Sequence, residues 1–448
     1  MNLGYNRSKS AILTLRLGLV VLLGSASLGA ENLVFSGTIR FGTTTPVGSG
    51  GRIIKVTTLE SKGAGSLRAA ISAEGPRIVV FEVGGVIDLQ GQNLRIDSPF
   101  LTIAGQTAPS PGITLIRGGL TVSNTHDVLI QHLAVRPGDN GRSKGSGWDT
   151  DAIAVSASRR VVVDHCSTTW AVDENLSVSG PRLQGTTSSD VTFSNCLIAE
   201  GLNDASHAKG PHSKGTLIHD RIQRVAIIGC LYASNVDRNP YFKIGSSGVV
   251  ANRVIFNPGE HAITAGWRPV EWEGRQAPPE PELSILGNVL IHGLDTPENL
   301  SFISAPPTEL ENSSDHPSLE NSPGSQLPEI GRFYLQGNWQ VMRDGSQKRP
   351  NVPAARLRPH PILWLDGLKV SEPEETLASV LRNAGARPFD RDPIDQRIVD
   401  GVRQGTGRLI DSQSEVGGYP NYAPTYRKLE IPTQDIDAWL ASFAPSPK

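Results

Sequence analysis

The sequence predicts an all-β protein, a right-handed parallel β-helix whose short strands coil into a solenoid. From about Arg52 to Trp339, apolar runs of four to six residues alternate with clusters of Gly, Asn, Asp, Ser and Pro. Runs rich in Val and Ile that are bounded by such clusters are typical of strands. A period of 3.6 residues is almost absent from this region, which argues against helices that cross between strands.

The spacing of one repeated position decides between the possible β architectures. Cys166, Cys196 and Cys230 each close an apolar run, and they lie 30 and 34 residues apart. A position that recurs every roughly 25 to 35 residues, with about three strands per coil, fits a β-helix. A β-sandwich is the alternative, but it would show an even spacing of about 8–12 residues. We interpret the cysteines as stacked, buried thiols rather than as a disulfide or a metal site.

The composition excludes several other classes of protein. The chain has 448 residues, of which 38% are hydrophobic and 19% charged, and it contains 47 Gly and 32 Pro. This hydrophobic content is too high for a generally disordered chain, and the glycines follow no collagen repeat. The formal net charge of −2 gives no basis for binding nucleic acid, which requires clustered cations.

The amino terminus has the pattern of a secretory signal peptide over residues 1–30. Basic residues come first, followed by an apolar stretch and then by small residues: Arg7, Lys9 and Arg16, Leu17–Leu23, and Gly24–Ala30. The apolar stretch is shorter than the roughly 20 residues that span a bilayer, although an uncleaved anchor is the alternative. We therefore expect a secreted or periplasmic protein that has no membrane association after cleavage.

Further segments define the expected domain organisation. Ser66–Ile71 predicts a short Ser-capped helix that covers the first coil. The β-helix is expected over residues 31–345, with a Pro- and Ser-rich surface insertion at 302–331. Helical patterns begin after this point, and residues 346–448 are expected to form a C-terminal extension that packs on the solenoid.

Acidic residues that suit a bound cation lie about one coil apart. Asp149 and Asp151 stand at positions i and i+2, which places both carboxylates on one face of an extended chain. Asp173 follows Asp151 by 22 residues, and Glu174 comes next. Hard oxygen ligands of this kind favour Ca²⁺ over metals that prefer softer ligands. The alternative for an Asp-x-Asp pair is a turn or a cap.

Basic residues follow in the next coils. They are His207, Lys209, His212, Lys214, Arg238 and Lys243. Two histidines without thiolates are weak evidence for a metal, so we interpret His207 and His212 as loop or subsite residues. Arg238 in an Arg-x-Pro sequence is either a solvated residue at a strand exit or part of a site. Trp148 and Trp170 are either sugar platforms or interior packing residues. Carboxylates opposite a basic patch on neighbouring coils suit an acidic polymer bridged by a cation.

Five segments occur in the order and spacing of a known enzyme family. They are GAGSLRAAI near the start, GGVIDL at Gly84–Leu89, DTDAIAV with VVVDHCSTTWAVDENLSV, and DRNPYFK. Together they resemble the pectate lyases of polysaccharide lyase family 1 over roughly residues 50–260. The resemblance implies a right-handed parallel β-helix that depends on calcium and cleaves polygalacturonate by β-elimination, giving 4,5-unsaturated oligogalacturonides.

The resemblance also implies roles for individual positions. The implied calcium ligands are Asp149, Asp151 and Asp173, with Glu174 as a neighbouring candidate. Ser177 stands where the family has a fourth acidic ligand. Arg238 matches the catalytic base, and Lys243 stands at the family's second arginine, where it keeps the charge but loses the bidentate fork. Lys209 is similar to the lysine that binds the substrate carboxylate, and Lys214 competes for that role.

Two other functions stay open at the level of the sequence. A galacturonan hydrolase would use paired carboxylates without calcium, and it would leave the Arg-Asn-Pro cations without a role. A non-catalytic polysaccharide-binding β-helix would have lost turnover through Ser177 and Lys243. In each case the expected partner is an acidic polysaccharide such as polygalacturonate, and we expect a monomer that does not bind nucleic acid.

Overall fold

The computed structural model of this chain describes residues 45–183, 187–304 and 331–445. Within these ranges the chain forms a parallel β-helix of three sheets around a shared interior. The predicted signal peptide and nearly all of the predicted insertion lie outside the described residues. Among the residues described, no helix is long and apolar enough to cross a membrane.

Each of the three sheets takes one strand from almost every coil. Sheet 1 has, in order, Arg52–Val56, Arg77–Phe81, Leu101–Ala104, His126–Gln131, Arg159–Asp164, Ser189–Ser194, Gln223–Ile228, Ser247–Ala251, Glu282–Leu286 and Arg332–Gln336. Sheet 2 has Leu94–Ile96, Leu120–Ser123, Ile153–Ser156, Glu174–Ser179, Lys214–Ile218, Tyr241–Lys243, Ile263–Gly266 and Ile303–Ser304, numbered first to eighth below. Sheet 3 has Thr425–Tyr426, Val83–Asp88, Ile113–Ile116, Leu133–Arg136, Ser167–Thr169, Leu197–Ala199, Leu231–Ala233, Val254–Phe256, Val289–Ile291, Trp339–Val341 and Gln347–Lys348. Among the strands of the described ranges, the two end strands of sheet 3 pair antiparallel and the others pair parallel.

The interior is built from branched side chains that stack from coil to coil. In sheet 1, Val128, Val161, Val191 and Val225 pair in register, and all four are fully buried. Parallel pairing repeats the same position about 4.8 Å along the axis, so one apolar position per coil produces a continuous column. β-branched residues suit such columns because they pack well on a pleated surface.

The corner between sheets 1 and 3 is a one-residue bend with left-handed backbone. Directly after successive strands of sheet 1 come His132, His165, Asn195, Gly229 and Asn252, with φ of 56°, 48°, 51°, 64° and 48°. Gly adopts this conformation without strain, and Asn is the side chain that most readily tolerates it. The recurring Asn or Gly at this position therefore marks the turn of each coil.

The three cysteines follow this bend directly. Cys166, Cys196 and Cys230 are buried and free, as predicted. Each thiol lies 3.4 to 3.6 Å from the carbonyl oxygen two residues earlier, and so repeats one environment in three coils. Burial raises the pKa of the Cys166 thiol to about 12, which keeps it protonated and unreactive.

Helix α1, Leu67–Ile71, covers the first coil. The hydroxyl of Ser66 accepts a hydrogen bond from the backbone N–H of Ala69 at 3.2 Å, which caps the helix. Leu67, Ala70 and Ile71 are buried in the same core cluster as the solenoid interior. The helix thus closes the apolar column at this end.

The remaining helices pack on the outside of the solenoid. They are α2 (Pro373–Asn383), α3 (Pro393–Gln404) and α4 (Ile436–Ala441), and short 3₁₀ turns lie at Gly105–Thr107, Pro269–Trp272, Ala354–Arg356 and Gln413–Val416. Helices α2 and α3 cover the outer face of sheet 3, and α4 packs on sheet 1. The buried guanidinium of Arg136 in sheet 3 pairs with Asp392 and Asp395 at the start of α3, at 2.8 Å each. The domain boundaries given above stay a prediction.

Candidate active site

Sheet 2 brings the predicted site residues to consecutive coils. Asp151 lies two residues before the third strand, and Asp173 and Glu174 lie at the start of the fourth. Lys214 begins the fifth strand, and Arg238 lies three residues before the sixth. Because neighbouring strands are about 4.8 Å apart, side chains at these strand beginnings can contact each other across coils.

Three of the predicted metal ligands form a carboxylate cluster. Asp151, Asp173 and Glu174 each offer one oxygen, and these oxygens lie within 4.8 Å of one another. Burial, followed by the charges of Glu174 and Asp173, raises the pKa of Asp151 well above its usual value. Burial also raises the pKa of Glu174, against the opposing effect of Arg238. The cluster therefore holds more negative charge than its surroundings neutralise, which is the setting that a hard divalent cation fits.

Ser177 orients one member of this cluster. Its hydroxyl donates to Oδ2 of Asp151 at 2.5 Å, and the backbone N–H of Glu174 donates to Oδ1 of Asp151 at 3.0 Å. Ser177 and Asp151 come from adjacent coils, since Ala154 in the third strand pairs with Ser177 in the fourth. At the position where the resemblance implies a fourth acidic ligand, this chain thus has a hydrogen-bond donor to Asp151, a predicted ligand.

Arg238 lies against the carboxylate cluster. Its Nη1 pairs with the carboxylate of Glu174, and only 11% of the arginine side chain is exposed. The guanidinium carbon is 5.9 Å from the centre of the Tyr241 ring. Its backbone has a left-handed φ of 59°, which a non-glycine residue adopts only where its surroundings hold it.

Asp237 contacts both the backbone of Arg238 and side chains of the neighbouring coils. Its Oδ1 accepts from the backbone N–H of Arg238 at 2.5 Å, and its Oδ2 lies 3.2 Å from Nζ of Lys214. The Nδ1 atom of His261 lies 3.3 Å from the same carboxylate. Although burial raises it, Lys214 and His261 hold the pKa of Asp237 well below its usual value. Asp237 is therefore an anion that anchors the backbone of Arg238.

The three candidate lysines have different surroundings. Lys209 is exposed and lines a cavity of about 150 Å³ together with Asp173, Glu174 and Arg238. Lys214 is instead engaged by Asp237 as described. Lys243, only 4% exposed, pairs with Glu271 and lies 3.4 Å from Oδ2 of Asp220, and it also lines the cavity. The cavity thus offers one solvent-exposed lysine and one that is already paired.

Comparison with known proteins decides the family. No protein-family model matches the chain. A curated protein of Aspergillus oryzae, "Probable pectate lyase C", is 30% identical over 395 residues, which is 86% of this chain and 81% of that protein. The protein of the same description from Neosartorya fischeri is 30% identical over 403 residues, covering 89% and 84% of the two chains. The chain belongs to the pectate lyases.

The fold of this pectate lyase agrees with that of solved members. The structure described as the thermostable pectate lyase PL 47 superposes with a TM-score of 0.51, at 12% identity, and the match covers 79% of this chain and 97% of that one. Together with the family, this confirms the predicted right-handed parallel β-helix and an enzyme of the polysaccharide lyase class.

Two residues predicted near the site lie apart from the carboxylate cluster. Asp149 is exposed and is not one of the three clustered carboxylates. Burial lowers the pKa of His207, and Asp149 is close enough for its charge to oppose that effect. Trp170 is fully buried and donates through Nε1 to Glu200 at 2.9 Å, so it packs in the interior and does not serve as a sugar platform. Trp148 is partly buried and donates through Nε1 to a backbone carbonyl, that of Gly138, at 2.9 Å.

Sequence reasoning missed or undervalued several residues of the lyase site. The sequence did not single out Glu271, Asp220 or Asp237. Glu271 and Asp220 pair with Lys243, which belongs to another coil, and Asp237 accepts from the backbone N–H of its neighbour Arg238. Asp237 had a signal, since it directly precedes Arg238. His207 and His212, for which loop or subsite roles are expected, lie next to Asp173, with Nε2 of His212 at 2.9 Å and Nε2 of His207 at 4.0 Å from its Oδ1.

Proposed function

We propose that this chain is a calcium-dependent pectate lyase that cleaves polygalacturonate by β-elimination and releases 4,5-unsaturated oligogalacturonides. The observation that carries the proposal is the carboxylate cluster of Asp151, Asp173 and Glu174 directly beside Arg238. A cation-binding group next to a potential proton acceptor suits removal of a proton adjacent to a carboxylate.

The residues present fit a calcium ion. Asp151, Asp173 and Glu174 supply clustered oxygen ligands whose mutual repulsion is not neutralised, and Asp149 lies on the exposed side as a further candidate. Calcium, when bound here, would withdraw charge from the C6 carboxylate of a galacturonate and so acidify its C5 proton.

Arg238 is the proposed base. The C5–H bond breaks and its proton goes to a nitrogen of Arg238, the C4–C5 double bond forms, and the C4–O bond breaks. The leaving oxygen keeps the electron pair and takes a proton from solvent. Arg238 accepts a proton only in its neutral form, and its pair with Glu174 favours the charged form. We therefore propose that Glu174 leaves Arg238 when it becomes a metal ligand.

Lys209 is the proposed contact for a substrate carboxylate. It is exposed and lines the same cavity as Arg238, so a uronate bound there would meet its ammonium group. Lys214 and Lys243 are proposed as supporting cations, since both are engaged by carboxylates of the protein.

The deciding experiment follows absorbance of the unsaturated product. Purified protein is incubated with polygalacturonate plus calcium, and then with a chelator. We expect an ultraviolet absorbance rise that requires calcium and that Arg238→Ala abolishes. New reducing ends without the absorbance rise would replace the proposal with a hydrolase. Polymer binding without either signal would replace it with a non-catalytic binding protein.

We further propose that the protein is exported, with residues 1–30 as its signal peptide and 302–331 as a surface insertion. The basic, apolar and small-residue order of the first segment supports this. Amino-terminal sequencing of protein recovered from the medium or periplasm tests it, and a chain that still begins at Met1 would contradict it.

A further inference from the structure

The loop before the fifth strand of sheet 2 places two histidines against a predicted metal ligand. The rings of His207 and His212 stack with centres 3.9 Å apart and planes 15° apart. Both residues are buried, at 3% and 5% exposure. Nε2 of His212 lies 2.9 Å from Oδ1 of Asp173, and Nε2 of His207 lies 4.0 Å from the same oxygen.

The hydrogen bonds of the loop fix which ring nitrogens carry protons. Nδ1 of His207 accepts from the backbone N–H of Lys209 at 3.0 Å, so in the neutral ring the proton is on Nε2. Nε2 of His212 lies 2.9 Å from Oδ1 of Asp173, and because an ionised carboxylate only accepts hydrogen bonds, this approach favours the tautomer with the proton on Nε2. Nε2 of His207, 4.0 Å from the same oxygen, is beyond hydrogen-bond distance.

The positions of the ring protons decide whether His207 and His212 bind a metal or hold Asp173 in place. Two histidines and an aspartate also form a nitrogen-rich metal site, and their ligand atoms are close enough for one. A ring nitrogen that carries a proton cannot ligate a metal, however, and a ligating histidine normally donates through its other nitrogen. In His207 the other nitrogen accepts instead.

We propose that His207 and His212 are positioning residues that hold the carboxylate of Asp173 and the backbone of Lys209 in one arrangement. His212 acts on Asp173 directly. His207 packs on His212 and receives the N–H of Lys209, which fixes the chain where Lys209 enters the cavity. The loop is closed by two further backbone bonds, from Gly210 N–H to His207 at 3.2 Å and from His212 N–H to Asn203 at 2.9 Å.

The inference rests on the calcium site proposed above. It predicts that His212 affects calcium affinity and that His207 affects KM for the substrate. His212→Leu removes the donor to Asp173 while keeping a side chain of similar size. Loss of a residue that orients a metal ligand lowers metal affinity by about 10- to 100-fold. His207→Leu removes the acceptor for Lys209, and we expect it to raise KM for polygalacturonate by about 2- to 10-fold with little change in kcat.

The test is calorimetric titration of the full chain with calcium chloride. We expect His212→Leu to bind calcium more weakly, His212→Gln to recover affinity because its amide can donate, and His292→Leu to bind as wild type. His292 is a matched control because it is equally buried and lies outside the site. Circular dichroism verifies that each variant is folded.

Three results would overturn the inference, and they are distinguishable. Wild type that binds no calcium would remove the proposed calcium site itself. Equal calcium affinity in wild type and folded His212→Leu would leave that site intact and refute positioning by His212. Titration with cobalt(II) that produces the visible absorption of a nitrogen-ligated ion, lost in His212→Leu, would make the pair a metal site instead.

Discussion

Ser177 stands where the resemblance implies a fourth carboxylate, and it stabilises the carboxylate of Asp151. Its hydroxyl donates to Asp151 at 2.5 Å, while burial and the charges of Glu174 and Asp173 raise the pKa of that aspartate. A donor at this position makes the ionised form of Asp151 less costly without metal. We infer that the serine exchanges part of the cluster's attraction for a cation for stability of the carboxylates themselves.

Ser177→Asp should reverse that exchange. A further carboxylate beside Asp151 adds repulsion, so we expect a lower free energy of unfolding in chelator. In calcium we expect affinity to rise on the order of tenfold, because ligand charge tunes calcium binding. Denaturant unfolding with and without calcium measures both effects. Ser179→Asp, two residues further on the same strand, is the control, and equal calcium affinity in the Ser177 variant would contradict the prediction.

Glu271 neutralises part of the charge of Lys243, a proposed substrate contact. It lies in the turn Pro269–Trp272, pairs with Lys243, and contacts Arg182 at 3.0 Å. Glu271→Gln should remove one of the two carboxylates that pair with Lys243 and leave Asp220, so we expect KM for polygalacturonate to fall by about two- to fivefold, the effect of roughly 0.5–1 kcal/mol. Initial rates over a range of substrate concentrations test this, and an unchanged or higher KM would refute it.

At the scale of the element, the repeated bend between sheets 1 and 3 sets the geometry of each coil. His165, Asn195 and Gly229 hold the same left-handed backbone in three successive coils, and a cysteine follows each of them. Because the bend is a single residue, the next side chain always points inward. The identity of one residue per coil thus fixes the register of the strand that follows.

Substitutions at Asn195 isolate the energy of this bend. Asn195→Gly and Asn195→Ala both lose the hydrogen bond from the side chain to Asp164 at 3.3 Å, so their difference reports the backbone alone. We expect the Ala variant to be less stable than the Gly variant by about 1–2 kcal/mol, the cost of left-handed backbone. Urea unfolding measures the difference, and equal midpoints would mean that the coil relaxes at this corner.

For the whole molecule, the sequence predicts whatever repeats along the chain. The recurring cysteine position and the apolar runs predict the sheets and the buried thiols, because each coil obeys the same local rules. The pairing of Glu174 with Arg238 and of Lys243 with Glu271 could not be predicted in this way. These contacts join side chains from different coils, and loops of unequal length decide which atoms meet.

The segment between helices α2 and α3 adds a pH-dependent contact between the C-terminal part of the chain and the solenoid. His132, at a bend, donates through Nδ1 to the carbonyl of Ala386 at 2.7 Å and stacks on His165 with ring centres 5.0 Å apart. Burial, followed by the charges of His165 and Arg387 against that of Asp164, lowers the pKa of His132 to about 3. The folded protein therefore keeps His132 neutral under conditions where the unfolded chain protonates it.

The free energy of unfolding should consequently fall as pH decreases from about 6.5, the unfolded pKa, toward about 3. Over that window the unfolded state binds a proton that the folded state does not, at about 1.4 kcal/mol per pH unit for one group. His132→Asn keeps a residue that tolerates the left-handed backbone and removes the titration, so its stability should decline less steeply. Denaturant unfolding between pH 7 and 4.5 measures the slopes, with His360→Asn, an exposed histidine, as the control. If His132→Asn retained the full wild-type slope, other buried groups such as His292, whose pKa burial lowers to about 4, would have to carry the pH dependence.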